Sequence, residues 1–204
     1  MGTNRLESFS DGVMAVAITL LVLGIAVPNP NAHPYHSLVY ELGRSWTQYV
    51  AYVISFLTIG IIWINHHAMI SRLKEADQSI LILNLLLLMS IGVLPFATSL
   101  MAEYLRSGHD EAVAAAAYSG ALLVMSVLFG TLNRHILLER GHLMAEELPL
   151  SARRRILTQS ASGIVPYVLA VGLAFVSAYA TLVICGLIAV FYATPVASGR
   201  RRAA

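Results

Sequence analysis

Asp11 and Arg5 stand at the threshold of a long apolar run that begins at Gly12, and the stretch Trp63, Asn65, His66, His67 closes a second run. A carboxylate and two imidazoles in apolar surroundings can relay protons. The same groups can form a structural network, because charge is tolerated at a membrane edge only when paired and hydrogen-bonded. A tight metal site is not expected: adjacent histidines point to different faces of a helix, and no further ligands stand at metal-binding spacing. No Ser–His–Asp arrangement shares a common depth, so no enzyme and no cofactor are expected.

The elements that must position these groups follow from composition. Of 204 residues, 57% are hydrophobic and 12% charged, and the mean hydropathy is +0.72. A soluble domain carries about 25% charged residues, so the chain reads as an all-α integral membrane protein whose surroundings are lipid rather than nucleic acid. Six apolar segments lie at about 10–28, 46–68, 79–101, 112–133, 156–176 and 179–198, one six-helix bundle over residues 1–204. The later five have roughly 20 residues each, enough for a hydrocarbon core of about 30 Å. The last two share the uncharged stretch Ile156–Gly199, so a tight hairpin is predicted near Ser177–Thr181. With the N-terminus inside, 11 basic residues fall on the cytoplasmic side and only Arg44 and Arg106 on the other. That bias places both termini in the cytoplasm. The single cysteine, Cys185, reads as a small buried hydrophobe.

Pro28, Pro30 and Pro34 end the first span by about Val27. Gly12 to Val27 then covers only about 24 Å of helix, short of a hydrocarbon core. Residues 5–11 are therefore expected to continue the helix at the membrane edge. There Arg5, Ser10 and Asp11 need partners. Helix two returns Trp63, Asn65, His66 and His67 to the same end, and helix three carries Asn84 about one turn in. A network of Arg5, Ser10, Asp11, Asn65, His66, His67 and Asn84 is predicted. The competing reading is an exposed helix start capped by Ser8 or Ser10. On the first helix, Gly12, Val16, Thr19 and Leu23 share one stripe. Thr19 there either bonds the carbonyl of Ala15 or faces a permeating substrate.

The string R-x-x-x-F-S-D-G (Arg5, Phe9, Ser10, Asp11, Gly12), followed by Ala15 and Thr19, resembles the signature of the transmembrane protein 175 family, the lysosomal potassium channels and their bacterial relatives. W-x-N-H-H (Trp63 to His67) and, on helix three, L-N-L-L with Pro95, Phe96 and Thr98 agree with it. The resemblance covers helices one to three; the rest matches as spans only. It implies a single-repeat bacterial member in the inner membrane, a homotetramer whose first helices line a central pore. It implies constrictions at Val16 and Leu23, potassium transit near Thr19, and a polar network that braces the pore helix. No T-V-G-Y-G segment is present, so moderate potassium preference is expected rather than that of a carbonyl filter. The alternative is a proton-coupled secondary transporter using Asp11, His66 and His67. Against it, Asp11 lies at the membrane edge, whereas transport sites favour the midplane.

Overall fold

The computed structural model describes residues 2–29, 31, 35–145 and 148–193, all of them helical or in short connections, with only two isolated β-bridges among the described residues. Pro30, His33, Pro34, the end of the expected 179–198 span and Arg200 to Arg202 lie outside them.

The first helix begins well before Gly12. α1 runs Thr3–Leu21 and tightens into a 3₁₀ turn over Val22–Gly24, a 22-residue segment of about 33 Å. Ser8 and Ser10 sit inside it, so neither caps it. Leu6, Ser10, Met14, Ala17 and Leu21 recur at helical spacing and are buried. That stripe packs against α3 (Trp46–Ile70) and α4 (Gln78–Ser107).

A short helix not foreseen from the sequence, α2 (Leu38–Arg44), precedes α3; Ser37 caps it by accepting from the Tyr40 amide at 3.3 Å. α4 is longer than the predicted 79–101. Asp77 caps its start, and Gly108, at φ 73°, ends it in the left-handed conformation that a glycine adopts without a Cβ clash. α5 (Glu111–Arg134) continues as a π-turn over His135–Glu139.

The 156–176 segment is two helices, α6 (Leu150–Ser162) and α7 (Ile164–Ala174), meeting at Gly163. A Cβ on Gly163 would stand 3.2 Å from the Ser126 hydroxyl and 3.4 Å from that of Tyr192, so the close packing there favours glycine. The hairpin turn falls at Phe175–Ser177, slightly before the expected place. Ser177 accepts from the Ala180 amide at 3.3 Å and opens α8 (Ala178–Ala193). Five segments are long and apolar enough to cross a membrane; α8 is apolar but 16 residues long. This is a multi-pass membrane protein.

Most of the polar side chains buried in the core are hydrogen-bonded. The Ser55 hydroxyl meets Thr98 Oγ1 at 2.8 Å and Tyr118 Oη at 2.9 Å, joining α3, α4 and α5. At the end of the bundle where α1 begins, two backbone bonds clip the α3–α4 connection to the α5–α6 connection. Lys74 N donates to Leu143 O at 3.0 Å and Ala145 N to Arg72 O at 2.8 Å.

Candidate functional site

α1 and α3 are antiparallel, and polar residues four apart on each meet in register. Trp63 Nε1 donates to Asp11 Oδ1 at 2.8 Å, and one turn toward the helix end His67 Nδ1 meets Glu7 Oε1 at 2.5 Å. α4 enters from the buried side. Ser10 Oγ donates to Leu6 O at 2.8 Å and accepts from Asn84 Nδ2 at 3.0 Å, while Asn84 Oδ1 lies 2.7 Å from His66 Nε2. The Ser10 proton is spent on Leu6, so the group facing Ser10 must be the amide NH₂. Asn84 Oδ1 is then the acceptor, and His66 carries its proton on Nε2. This leaves His66 Nδ1 buried without a partner, which fits a neutral ring. Ser10, Asn84 and His66 are fully enclosed, so three helices close on one chain of buried hydrogen bonds.

Two predicted members stand apart. Arg5 is exposed and pairs with no carboxylate among the described residues. It lies six residues from Asp11, about 240° round the helix, and points away from α3. Asn65 faces a cavity beside α5 and α6 rather than α1. Glu7 was missed, although its i−4 relation to Asp11 matches the i+4 relation of His67 to Trp63. That pairing of spacings is the signal that marks it.

The far end of α1 is also fixed. Ala26 N donates to Gln48 Oε1 at 3.2 Å, and a Cβ on Gly24 would fall within 2.3 Å of Ser99 Oγ. A side chain there would have to displace the Ser99 hydroxyl, so glycine suits the close approach of this turn to α4.

The opposite face of α1 has no cover. Phe9, Gly12, Val16, Thr19 and Leu23 are exposed, Val16 at 56% and Leu23 at 76%. Thr19 Oγ1 donates to Val16 O at 2.8 Å, not to Ala15. Its proton is thus directed at the backbone and its lone pairs remain for another partner. A shallow groove between α1 and α4, flanked by Gly12 and Gly92, runs along this face. No group of three or more His, Cys, Asp or Glu side chains is placed to hold a metal among the described residues.

A family model described as endosomal/lysosomal potassium channel TMEM175 matches residues 5–95. A Streptomyces collinus protein named potassium channel B446_29190 is 44% identical over 93% of this chain and 91% of its own. A crystal structure of a lysosomal potassium-selective channel TMEM175 homolog from Chamaesiphon minutus superposes with a TM-score of 0.84. It is 36% identical and covers 94% of this chain and 96% of that one. A mouse protein named endosomal/lysosomal proton channel TMEM175 is 38% identical over 54% of this chain and 23% of its own length.

Proposed function

Because the chain belongs to the TMEM175 family of ion channels, we propose that it conducts potassium passively through a pore lined by α1. The observation that carries this reading is the pair of opposed faces on that helix. One face is locked into its own bundle by Ser10–Asn84–His66, Asp11–Trp63 and Glu7–His67. The other, bearing Val16, Thr19 and Leu23, is open. A helix braced on one side and bare on the other suits a wall shared by several copies.

In this reading four chains assemble about an axis, each with six membrane passes and both termini in the cytoplasm of a bacterial cell. Val16 and Leu23 narrow the conduit, and apolar rings gate by size and dewetting. Between them four Thr19 oxygens replace part of the potassium hydration shell. No cofactor takes part. A proton-coupled carrier is the weaker reading. Asp11, His66 and His67 are each engaged across a helix contact, an arrangement that holds helices together rather than one that loads and unloads.

Flux into liposomes tests the proposal. Purified protein should carry potassium down its gradient without a pH gradient, and Thr19→Val should lower the potassium-over-sodium ratio several-fold with the oligomer intact. A parallel pH-dye arm separates proton from potassium conduction. Flux that required a pH gradient, or a ratio unmoved by Thr19→Val, would overturn it.

A further inference from the structure

A second site lies away from α1. A cavity of about 400 Å³ opens between α3, α5, the α6–α7 pair and α8, within the range of about 300–1,000 Å³ usual for ligand sites. Its character changes with depth. Ile62, Met125, Phe129 and Ala189 line the part toward the bundle centre. Asn65, Arg72, Asn133 and Ser160 line the part toward the helix ends. Thr58 and Ser126 add hydroxyls to the inner part, but from Ile62 to Asn65 and Arg72 after α3, and from Phe129 to Asn133 on α5, the lining turns from apolar to polar toward the helix ends, so the cavity suits an amphiphile.

The polar end has two unmet demands. Arg72 is half-buried and pairs with no carboxylate among the described residues. Burial pulls its guanidinium pKa down, the mark of a cation short of counter-charge. Its backbone is fixed, since Arg72 O accepts from Ala145 N. Asn133 is only 3% exposed; its Nδ2 donates to Ser160 Oγ at 2.6 Å, but its Oδ1 is buried without a partner. A bare anion would satisfy Arg72 and leave Asn133 Oδ1 wanting a donor. A phosphodiester that carries hydroxyl groups supplies both.

We propose that this cavity binds an anionic glycerophospholipid with a hydroxylated headgroup. The phosphate pairs with Arg72, a headgroup hydroxyl donates to Asn133 Oδ1, and one acyl chain lies along Ile62, Met125 and Phe129. Guanidinium and phosphate form strong charge-assisted bonds, and basic groups at the inner membrane face draw anionic lipid. That this end meets the inner leaflet rests on the topology proposed above; the binding is read without any flux, so the two stand or fall separately.

Native mass spectrometry of the detergent-purified protein with added lipid is the test. Phosphatidylglycerol should be retained about tenfold better than phosphatidylcholine, a difference worth one charge-assisted contact. Arg72→Gln should remove most of that preference, leaving only the part due to the headgroup hydroxyl, and Arg72→Lys should keep more of it. Arg155→Gln, on an exposed position of α6 outside the cavity, should leave it intact. Phosphatidylmethanol, with the same charge and no headgroup hydroxyl, should bind more weakly than phosphatidylglycerol. Preference undiminished in Arg72→Gln, or lost equally in Arg155→Gln, would overturn the site. Displacement of the lipid by inorganic phosphate would make it a free-anion site instead, and equal binding of phosphatidylmethanol would remove Asn133 from it.

Discussion

Asn84 is the hinge of the polar chain, because it is the side chain that links the other two, one on α1 and one on α3. Its NH₂ reaches Ser10 and its carbonyl receives His66. Replacing it with leucine strands the His66 imidazole N–H in a closed apolar setting and takes the donor away from the Ser10 oxygen, whose own proton stays on Leu6 O, at about 1–3 kcal/mol for such buried groups. Asn84→Leu should therefore unfold earlier in mixed dodecyl maltoside and SDS micelles. Adding Ser10→Ala should cost less than the sum of the two, since the stranded partner goes with it. An unchanged midpoint for Asn84→Leu would show that this chain does not hold α1. Ser10, His66 and Asn84 were legible because residue type, depth and topology converge on them. Arg5 shares the depth of this network but not its side of the helix. A step of six residues turns a side chain to another face, whereas the step of four from Asp11 leads to Glu7, the residue that does reach α3.

The helices themselves were legible wherever an apolar run is bounded by charge, as in α3 and α5, and less so where polar residues continue the helix beyond it. The shortness of the Gly12–Val27 run already predicts that residues 5–11 continue the helix, and Leu6, on the buried stripe, anchors that extension back to Thr3. The α7–α8 turn lacks glycine or proline, and its one marker is Ser177, whose hydroxyl accepts the Ala180 amide. α4 shows how a terminus outside the apolar run is secured. Asp77 Oδ1 accepts from Ile80 N at 2.9 Å, and its Oδ2 lies 2.5 Å from Arg140 Nε. The Ile80 amide first, and the Arg140 charge after it, hold the Asp77 carboxyl below its ordinary value of 3.8. A carboxyl more acidic in the folded than in the unfolded chain stabilises fully above that ordinary value, and its contribution is lost as pH falls through the folded value. Asp77→Ala should thus cost about 1 kcal/mol at neutral pH. The gap to wild type should shrink below about pH 4, read as unfolding midpoints in detergent at pH 7 and pH 3. Asp77→Asn, which keeps an acceptor for Ile80, should fall between the two. A gap that stayed constant with pH would assign the effect to something other than the ionised cap.

At the scale of the molecule the question is which bare face meets lipid and which meets another copy. Exposure does not decide it: Val16 and Leu23 on α1 are bare, and so are Val183 and Leu187 on α8, at 60% and 63%. Composition does. The α8 face carries Val183, Leu187 and Val190 in succession, as lipid chains require. The α1 face interleaves Ser8, Gly12 and Thr19 with its apolar residues, and Gly12 and Gly92 leave open space where a Cβ would stand. Small residues let membrane helices approach closely, and hydroxyls there find protein or water partners rather than hydrocarbon. That composition suits the α1 face to the interior of the proposed assembly and the α8 face to its lipid-facing exterior. Single cysteines decide the matter in a Cys185→Ser background, which leaves no other thiol. Val16→Cys and Leu23→Cys should cross-link between chains under mild oxidation in membranes, most efficiently where copies of α1 approach an axis. Val183→Cys should stay monomeric on a denaturing gel. Native mass spectrometry of the uncross-linked protein should give four chains. Cross-linking at Val183 with none at Val16 or Leu23 would turn the assembly inside out, and α1 would then be a lipid-facing helix with no conduit to line.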